Sequence, residues 1–209
     1  MNIMEQKTKM DDIEVGTIYK DSDRKFFKID YASSEDSPRW IKEMNFYTWL
    51  RGYKSPDPCS KTFQEFCEEF EAKDASDLFE KMREKGYYAR PVYVLIHSSI
   101  HYSLKPFNDR WDSGLGGVIF RERNGNISDE EEMLDGIAQN EVSEYDAWAN
   151  GEIYVAEQLD DEAAPEAFSS PFFARSGEEW SECLKEAIKS IGIKDQDCYD
   201  KAKQKTILE

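Results

Sequence analysis

The sequence predicts an α+β fold: a mainly antiparallel central sheet, one long acidic helix, and further helices packed around them. Three observations lead there. Strand-like runs at Pro91–His97, Ile100–Leu104 and Val118–Arg123 follow one another with no helical stretch between them, which excludes regular βαβ winding. A sustained helical period then runs from Ser128 to Ala149. Finally, 12 Phe, 11 Tyr and 5 Trp in 209 residues give ample core material despite 34% charged residues. A chain of this length buries roughly 70% of its unfolded surface, so it needs no disulfide or metal staple.

Taken in order, residues 1–12 read as a polar, flexible N-terminus. Val15–Lys20 and Arg24–Asp30 form a hairpin about Asp21-Ser22-Asp23. A loop from Ser33 to Arg39 leads to a strand at Asn45–Leu50, and Gly52–Pro58 is again a loop. A helical insert at about 60–86 holds two short amphipathic helices. Ser60–Lys73 carries Phe63, Phe66, Cys67 and Phe70 on one side; Ser76–Lys85 turns Leu78, Phe79 and Met82 inward and stops at Gly86. Pro91–His97 is continuously apolar, as a strand covered on both faces would be, and Ile100, Tyr102 and Leu104 alternate with polar residues. The glycine-bearing segment Asn108–Gly117 reads as a loop in which Asp112 bonds the backbone. After the long helix, Gly151 stops it, Glu152–Leu159 alternates, and Phe168–Ala174 is a last strand. Helices at Ser176–Ile191 and Asp195–Lys205 complete the chain. The domain reading is a core over 13–175 and a C-terminal helical segment over 176–209.

No run approaches the roughly 18 apolar residues needed to cross a bilayer, and the N-terminus lacks a secretory core segment. Cys59, Cys67, Cys183 and Cys198 show neither CxxC pairing nor a framework spacing, which reads as free thiols in a reducing compartment. The expectation is a soluble cytoplasmic protein without membrane contact.

Charge is the strongest compositional signal. The net charge is −17, and between Arg123 and Arg175 there is no Lys, Arg or His while 14 acids occur. Such a field repels phosphate backbones, so direct nucleic-acid binding is excluded and a basic partner is favoured. Ser128-Asp129-Glu130-Glu131 reads as a capping box, which accounts for the acids of the first turn. A helix of this length covers about 33 Å, where duplex DNA sets roughly 19 phosphates. The helix holds only eight acids, so mimicry of DNA requires the acids at 152–166 beside it. The partner-binding set is Asp129, Glu130, Glu132, Asp135, Glu144, Asp146, Glu152, Asp160, Asp161 and Glu162, with Trp148 as an aromatic anchor.

Glu141 falls in the middle of the helix stripe formed by Leu134, Ile137, Ala138, Tyr145, Trp148 and Ala149. A carboxylate there must be bonded to a tyrosine hydroxyl, a loop amide or an arginine, or else act in a pocket with His97, Asp112 and Ser113. His97 and His101 are the two histidines. Four residues of extended strand span about 13 Å, too far for a shared metal. No nucleotide loop or nucleophile elbow is present, so no cofactor and no metal are expected.

The order His97-Ser98, Pro106-Phe107, Trp111-Asp112-Ser113-Gly114, Gly117, Glu141-Val142 with Tyr145-Asp146, then Gly151 and Tyr154, resembles a family of small, uncharacterised phage and mobile-element proteins. Asp30-Tyr31 through Ser37-Pro38-Arg39 is similar to that family's N-terminal part, so the likeness covers about residues 25–158. Ser99 and Ile96 depart from the Gly and Asp that the family tends to place there. The resemblance implies a shared core and a mobile-element origin, not a reaction. With the acidity, it leads to the expectation of an inhibitor that occupies a basic groove on a host nucleic-acid-handling defence complex, in the manner of anti-CRISPR or antirestriction proteins. The alternative is a small enzyme or ligand-binding domain using the His97, Asp112, Ser113 and Glu141 pocket.

Overall fold

The computed structural model describes residues 7–32, 37–40, 42–123, 127–173, 178–194 and 198–202. Its elements are β1 (Lys7–Lys9), β2 (Ile18–Lys20), β3 (Phe26–Tyr31), β4 (Asn45–Thr48), α1 (Phe63–Phe70), α2 (Ala75–Glu84), β5 (Tyr87–Ile96), β6 (Ile100–Ser103), β7 (Ser113–Glu122), α3 (Ile127–Ala149), β8 (Ile153–Leu159), β9 (Pro165–Phe168), β10 (Phe172–Phe173), α4 (Glu178–Ser190) and β11 (Cys198–Lys201). The class is α+β, and every strand pair is antiparallel. The strands are shared between two sheets, and the chain divides into two units: Met1–Glu35 with Gly151–Glu209, and Asp36–Asn150.

In the first unit the strand order is β1-β11-β2-β3-β8, with β9 and β10 both pairing along the far side of β8. The β2–β3 turn forms as the sequence predicts. Asp21 Oδ1 accepts from the Asp23 and Lys25 amides, and Oδ2 accepts from Lys194 N, which holds the turn while Arg24 adopts a φ of 68°. Leu184, Ala187 and Ile188 of α4 pack on Tyr19, Phe27, Ile29 and Ala156.

Three expectations are corrected here. Lys7–Lys9 is a strand, followed by a 3-10 turn whose Met10 is buried, so within 1–12 only residues 1–6 lie outside the described ones. The stretch at 168–174 divides into β9 and β10, because Ser169 turns inward and its hydroxyl accepts from Ala156 N. The helix expected over 195–205 is in part a strand, β11, while residues 195–197 and 203–205 lie outside the described ones. The reason is Tyr199: it is fully buried, meets Phe27 edge-on at 5.0 Å, and sits where β1 and β2 each need a hydrogen-bonded neighbour.

In the second unit the order is β4-β7-β5-β6. On one face Leu134, Ala138, Val142 and Tyr145 of α3 pack against Phe46, Tyr88, Val92, Val94 and Tyr102. On the other, Phe66, Phe70, Leu78 and Met82 of α1 and α2 pack against Ala89, Val118 and Phe120. Tyr88, Val92 and Val94 of β5 face α3. On its other face Ala89 is buried under the insert helices but Pro91, Tyr93 and Leu95 are only half-buried, so the double cover expected of the 91–97 run is not found. The strand begins at Tyr87, ahead of Pro91. Pro91 is tolerated because β6 pairs only from Tyr93 onward, which leaves no ladder bond for its missing N–H on that side.

The insert helices are capped locally. Thr62 and Glu65 form a capping box at α1, Asp74 accepts from Ser76 N and Asp77 N at α2, and Gly86 (φ 87°) ends α2. The glycines expected in a loop lie instead inside β7. A Cβ at Gly117 would stand 2.3 Å from the Tyr47 carbonyl oxygen, so a side chain there would push β4 and β7 apart. The long helix starts at Ile127, ahead of Ser128; the side chains of 127–130, and with them the expected capping box, lie outside the described ones.

Candidate functional site

Glu141 sits in a buried ion network and not in a pocket. The Arg39 guanidinium, 6% exposed, donates from Nε and Nη2 to both oxygens of Asp57 at 3.2 and 2.8 Å, from Nη2 to Met44 O, and from Nη1 to Glu141. Glu141 also accepts from the Glu43 and Met44 amides, and Asp57 from Phe46 N, with Lys42 at 3.2 Å. Burial pushes the Asp57 carboxyl up, but Arg39, the Phe46 amide and Lys42 outweigh it and hold its pKa below the ordinary value. This arrangement fastens the segment before β4 to α3; it is the arginine-and-amide alternative read from the sequence.

The acids of 129–166 meet different fates. The side chains of Asp129 and Glu130 lie outside the described ones. Asp135 accepts from Arg90 Nε and Nη2 at 2.7 and 2.6 Å and from the Tyr88 hydroxyl. Glu131 lies 3.5 Å from Arg123 and 3.9 Å from Arg90. Asp146 is 1% exposed, so it leaves the partner-binding set: its Oδ1 accepts from Tyr102 N at 2.6 Å and thereby satisfies the outer edge of β6. Trp148 leaves the set as an anchor, because it packs on Tyr145 at 5.5 Å and joins the α3 core cluster. Glu132 and Glu144 are exposed.

In the first unit, Glu157 pairs with Lys28 at 3.0 Å, and Glu152 is half-exposed. Asp160 accepts from the Glu162 and Ala164 amides, which shapes the β8–β9 turn and leaves Asp161 and Glu162 pointing to solvent. On β9, Glu166 is exposed and Phe168 is 60% exposed.

The proposed pocket of four residues is not assembled. His97 Nδ1 meets Asp112 Oδ2 at 3.1 Å on the surface, with His97 78% exposed. Ser113 follows Asp112, but its hydroxyl donates to Asp109 O. Glu141 belongs to the Arg39 network described above. The loop's backbone bonding falls to Asp109, which accepts from Trp111 N and Asp112 N, and not to Asp112. Beside Asp112, Trp111 is 92% exposed.

The two histidines do not lie on one extended strand; residues 97–99 turn the β5–β6 hairpin, so the strand-length argument does not apply to them. Instead His101 joins two residues that sequence reasoning passed over. Ser99 Oγ lies 2.9 Å from His101 Nε2, and His101 Nδ1 lies 3.5 Å from Asp146 Oδ1. The signal available was Ser-x-His in a strand-like run, but its partner comes from a helix 45 positions later.

A cavity of about 380 Å³ lies between α1 and the sheet, walled by Tyr47, Phe66, Phe70, Tyr87 and Phe120, with the Lys61–Glu69 ion pair on its lining. Among the described residues no group of three or more His, Cys, Asp or Glu side chains could hold a metal ion, and no helix is long and apolar enough to cross a membrane. No protein-family model, no curated protein and no solved structure matches the chain.

Proposed function

We propose that the chain is an acidic interaction protein of a phage or mobile element. In this reading it acts in the bacterial cytoplasm, seated on the basic groove of a host nucleic-acid-handling defence complex such as a CRISPR or restriction effector. The observation that carries this is the β8–β9 hairpin. Its Asp161, Glu162 and Glu166 face solvent with no ion pair among the described residues, and β9, a short strand at the sheet margin, also exposes Phe168. Unneutralised carboxylates on a hairpin that also exposes an apolar side chain suit a basic partner surface.

The α3 carboxylates support a smaller part of this reading, since Glu131, Asp135 and Glu141 already hold arginines. The long-range field favours it throughout: the first unit carries 22 acids against 13 bases and the second 22 against 14. The test is inhibition of DNA cleavage by a panel of purified CRISPR and restriction effectors. The expected result is inhibition of at least one, weakening as salt rises and lost in D161K/E162K/E166K but kept in E131Q/D135N. Inhibition indifferent to salt and to the triple charge reversal, or no inhibition of any effector, refutes the reading.

A further inference from the structure

We infer that Ser99, His101 and Asp146 form a nucleophile–base–orienter set able to take an acyl group from a carboxylic ester. The inference is independent of the binding role proposed above. Its elements are a turn, an edge strand and the last turns of a helix, brought together by the fold. Ser99 is exposed at the tip of the β5–β6 hairpin, His101 is 38% exposed on β6, and Asp146 is 1% exposed on α3. This is the order of exposure that the chemistry needs: an accessible hydroxyl, a base reachable from solvent, and a sheltered carboxylate.

Three side chains surround the His101 ring nitrogens: Ser99 at Nε2, and Asn150 and Asp146 at Nδ1. Asn150 Nδ2 lies 3.3 Å from His101 Nδ1, but its two hydrogens are taken by Ile100 O at 2.9 Å and Asp146 O at 2.7 Å. In the reactive tautomer Nδ1 carries the proton, with Asp146 Oδ1 3.5 Å from it. Nε2 is left as the acceptor for the Ser99 hydroxyl. Tyr102 N, donating to the same Oδ1 at 2.6 Å, fixes the carboxylate in place.

Ser99 itself is held by its carbonyl, which accepts from His97 N at 3.1 Å. The His97–Asp112 contact ties the neighbouring loop to this turn. Among the described residues the Ser98 and Ser99 amides make no hydrogen bond and are available to a developing oxyanion.

In the step, Ser99 Oγ bonds to the ester carbonyl carbon while its proton passes to His101 Nε2. Collapse breaks the bond to the leaving oxygen, which departs as an alcohol with that proton. Water, activated by the same nitrogen, then releases the carboxylic acid and restores the hydroxyl.

The experiment uses the full chain with two probes, an alkyl fluorophosphonate read by intact and peptide mass spectrometry and p-nitrophenyl acetate read by nitrophenol release. A single phosphonyl adduct on Ser99 is expected, absent in Ser99→Ala and retained in Ser113→Ala. His101→Gln should slow labelling and ester cleavage by at least about tenfold, as loss of a general base does, with circular dichroism unchanged. No adduct on Ser99 of the native chain, or labelling equally fast in a folded His101→Gln variant, overturns the inference. Should that variant not fold, His101→Asn supplies the same comparison, and the native adduct map stands by itself.

Discussion

Replacing Arg39 by methionine probes the network on which the second unit turns. The substitution keeps the length of the apolar stem and removes the guanidinium. Asp57, 2% exposed, would keep only Phe46 N and the half-exposed Lys42, while Glu141 would keep two amides. Breaking a buried pair from one side costs about 3–5 kcal/mol, because the surviving charge stays buried. Against a usual total of about 5–15 kcal/mol, that is a large fraction. With a urea slope of about 2 kcal/mol/M, a loss of about 4 kcal/mol moves the midpoint down by about 2 M.

Acid adds a second reading of the same variant. In the native protein the Asp57 pKa lies below its unfolded value, near 3.9. Its contribution is therefore complete above about pH 4 and fades as pH falls through the lower folded value. Without Arg39, burial dominates and that carboxyl titrates higher, so protonation relieves the variant first. The gap between native and variant should narrow on acidification, followed by tryptophan fluorescence in urea. A loss under about 1 kcal/mol, or a gap that widens in acid, contradicts the reasoning.

Asp146→Ala should cost about 1–3 kcal/mol by orphaning the Tyr102 amide, visible as faster hydrogen exchange at Tyr102. Gly117→Ala should cost about 1–3 kcal/mol or more, because the new Cβ meets backbone at 2.3 Å, whereas Gly114→Ala, with open space around it, should stay within about 0.5 kcal/mol; thermal melts separate the two. Tyr199→Ala should lose about 3–5 kcal/mol, as a buried aromatic does, and a melt unchanged by it would count against β11. Arg90→Ala, whose Asp135 partner is 42% exposed, should change stability by about 1 kcal/mol or less.

Much of the fold was legible because it rests on local patterns. The β2–β3 turn, the Phe63–Phe70 stripe, the Gly86 stop and the α3 stripe each follow from spacing alone. What was not legible depends on distant partners. Cys198–Lys201 is too short to declare itself a strand until β1 and β2 are seen on either side. The β7 glycines look like loop residues because their purpose, the close approach of Tyr47 and Val94, belongs to other strands. Of the candidate sites, Glu141 could be read as needing a bonded partner from its place in an apolar stripe. The inward turn of Trp148 follows from the same stripe, but the burial of Asp146 could not be read, because helix spacing does not reveal an edge strand such as β6. The Ser99–His101 pair was within reach of the sequence, but Asp146 was not.

The discontinuous first unit has a consequence for biosynthesis. Its sheet is closed by β11, which enters between β1 and β2, the earliest strands to be made. The chain leaves this sheet at Ala32 and returns at Ile153, and the two ends of that excursion are joined by a hydrogen bond of 2.9 Å from Ala32 N to Ile153 O. During translation the intervening unit has all of its strands long before residue 198 emerges, so it can fold as a finished body. The first hairpin must meanwhile wait with both flanks open, an interval in which unpaired strand margins invite wrong pairing. A ribosome-stalled nascent chain ending near residue 190 would then protect residues 45–150 from protease while leaving residues 7–31 cleavable.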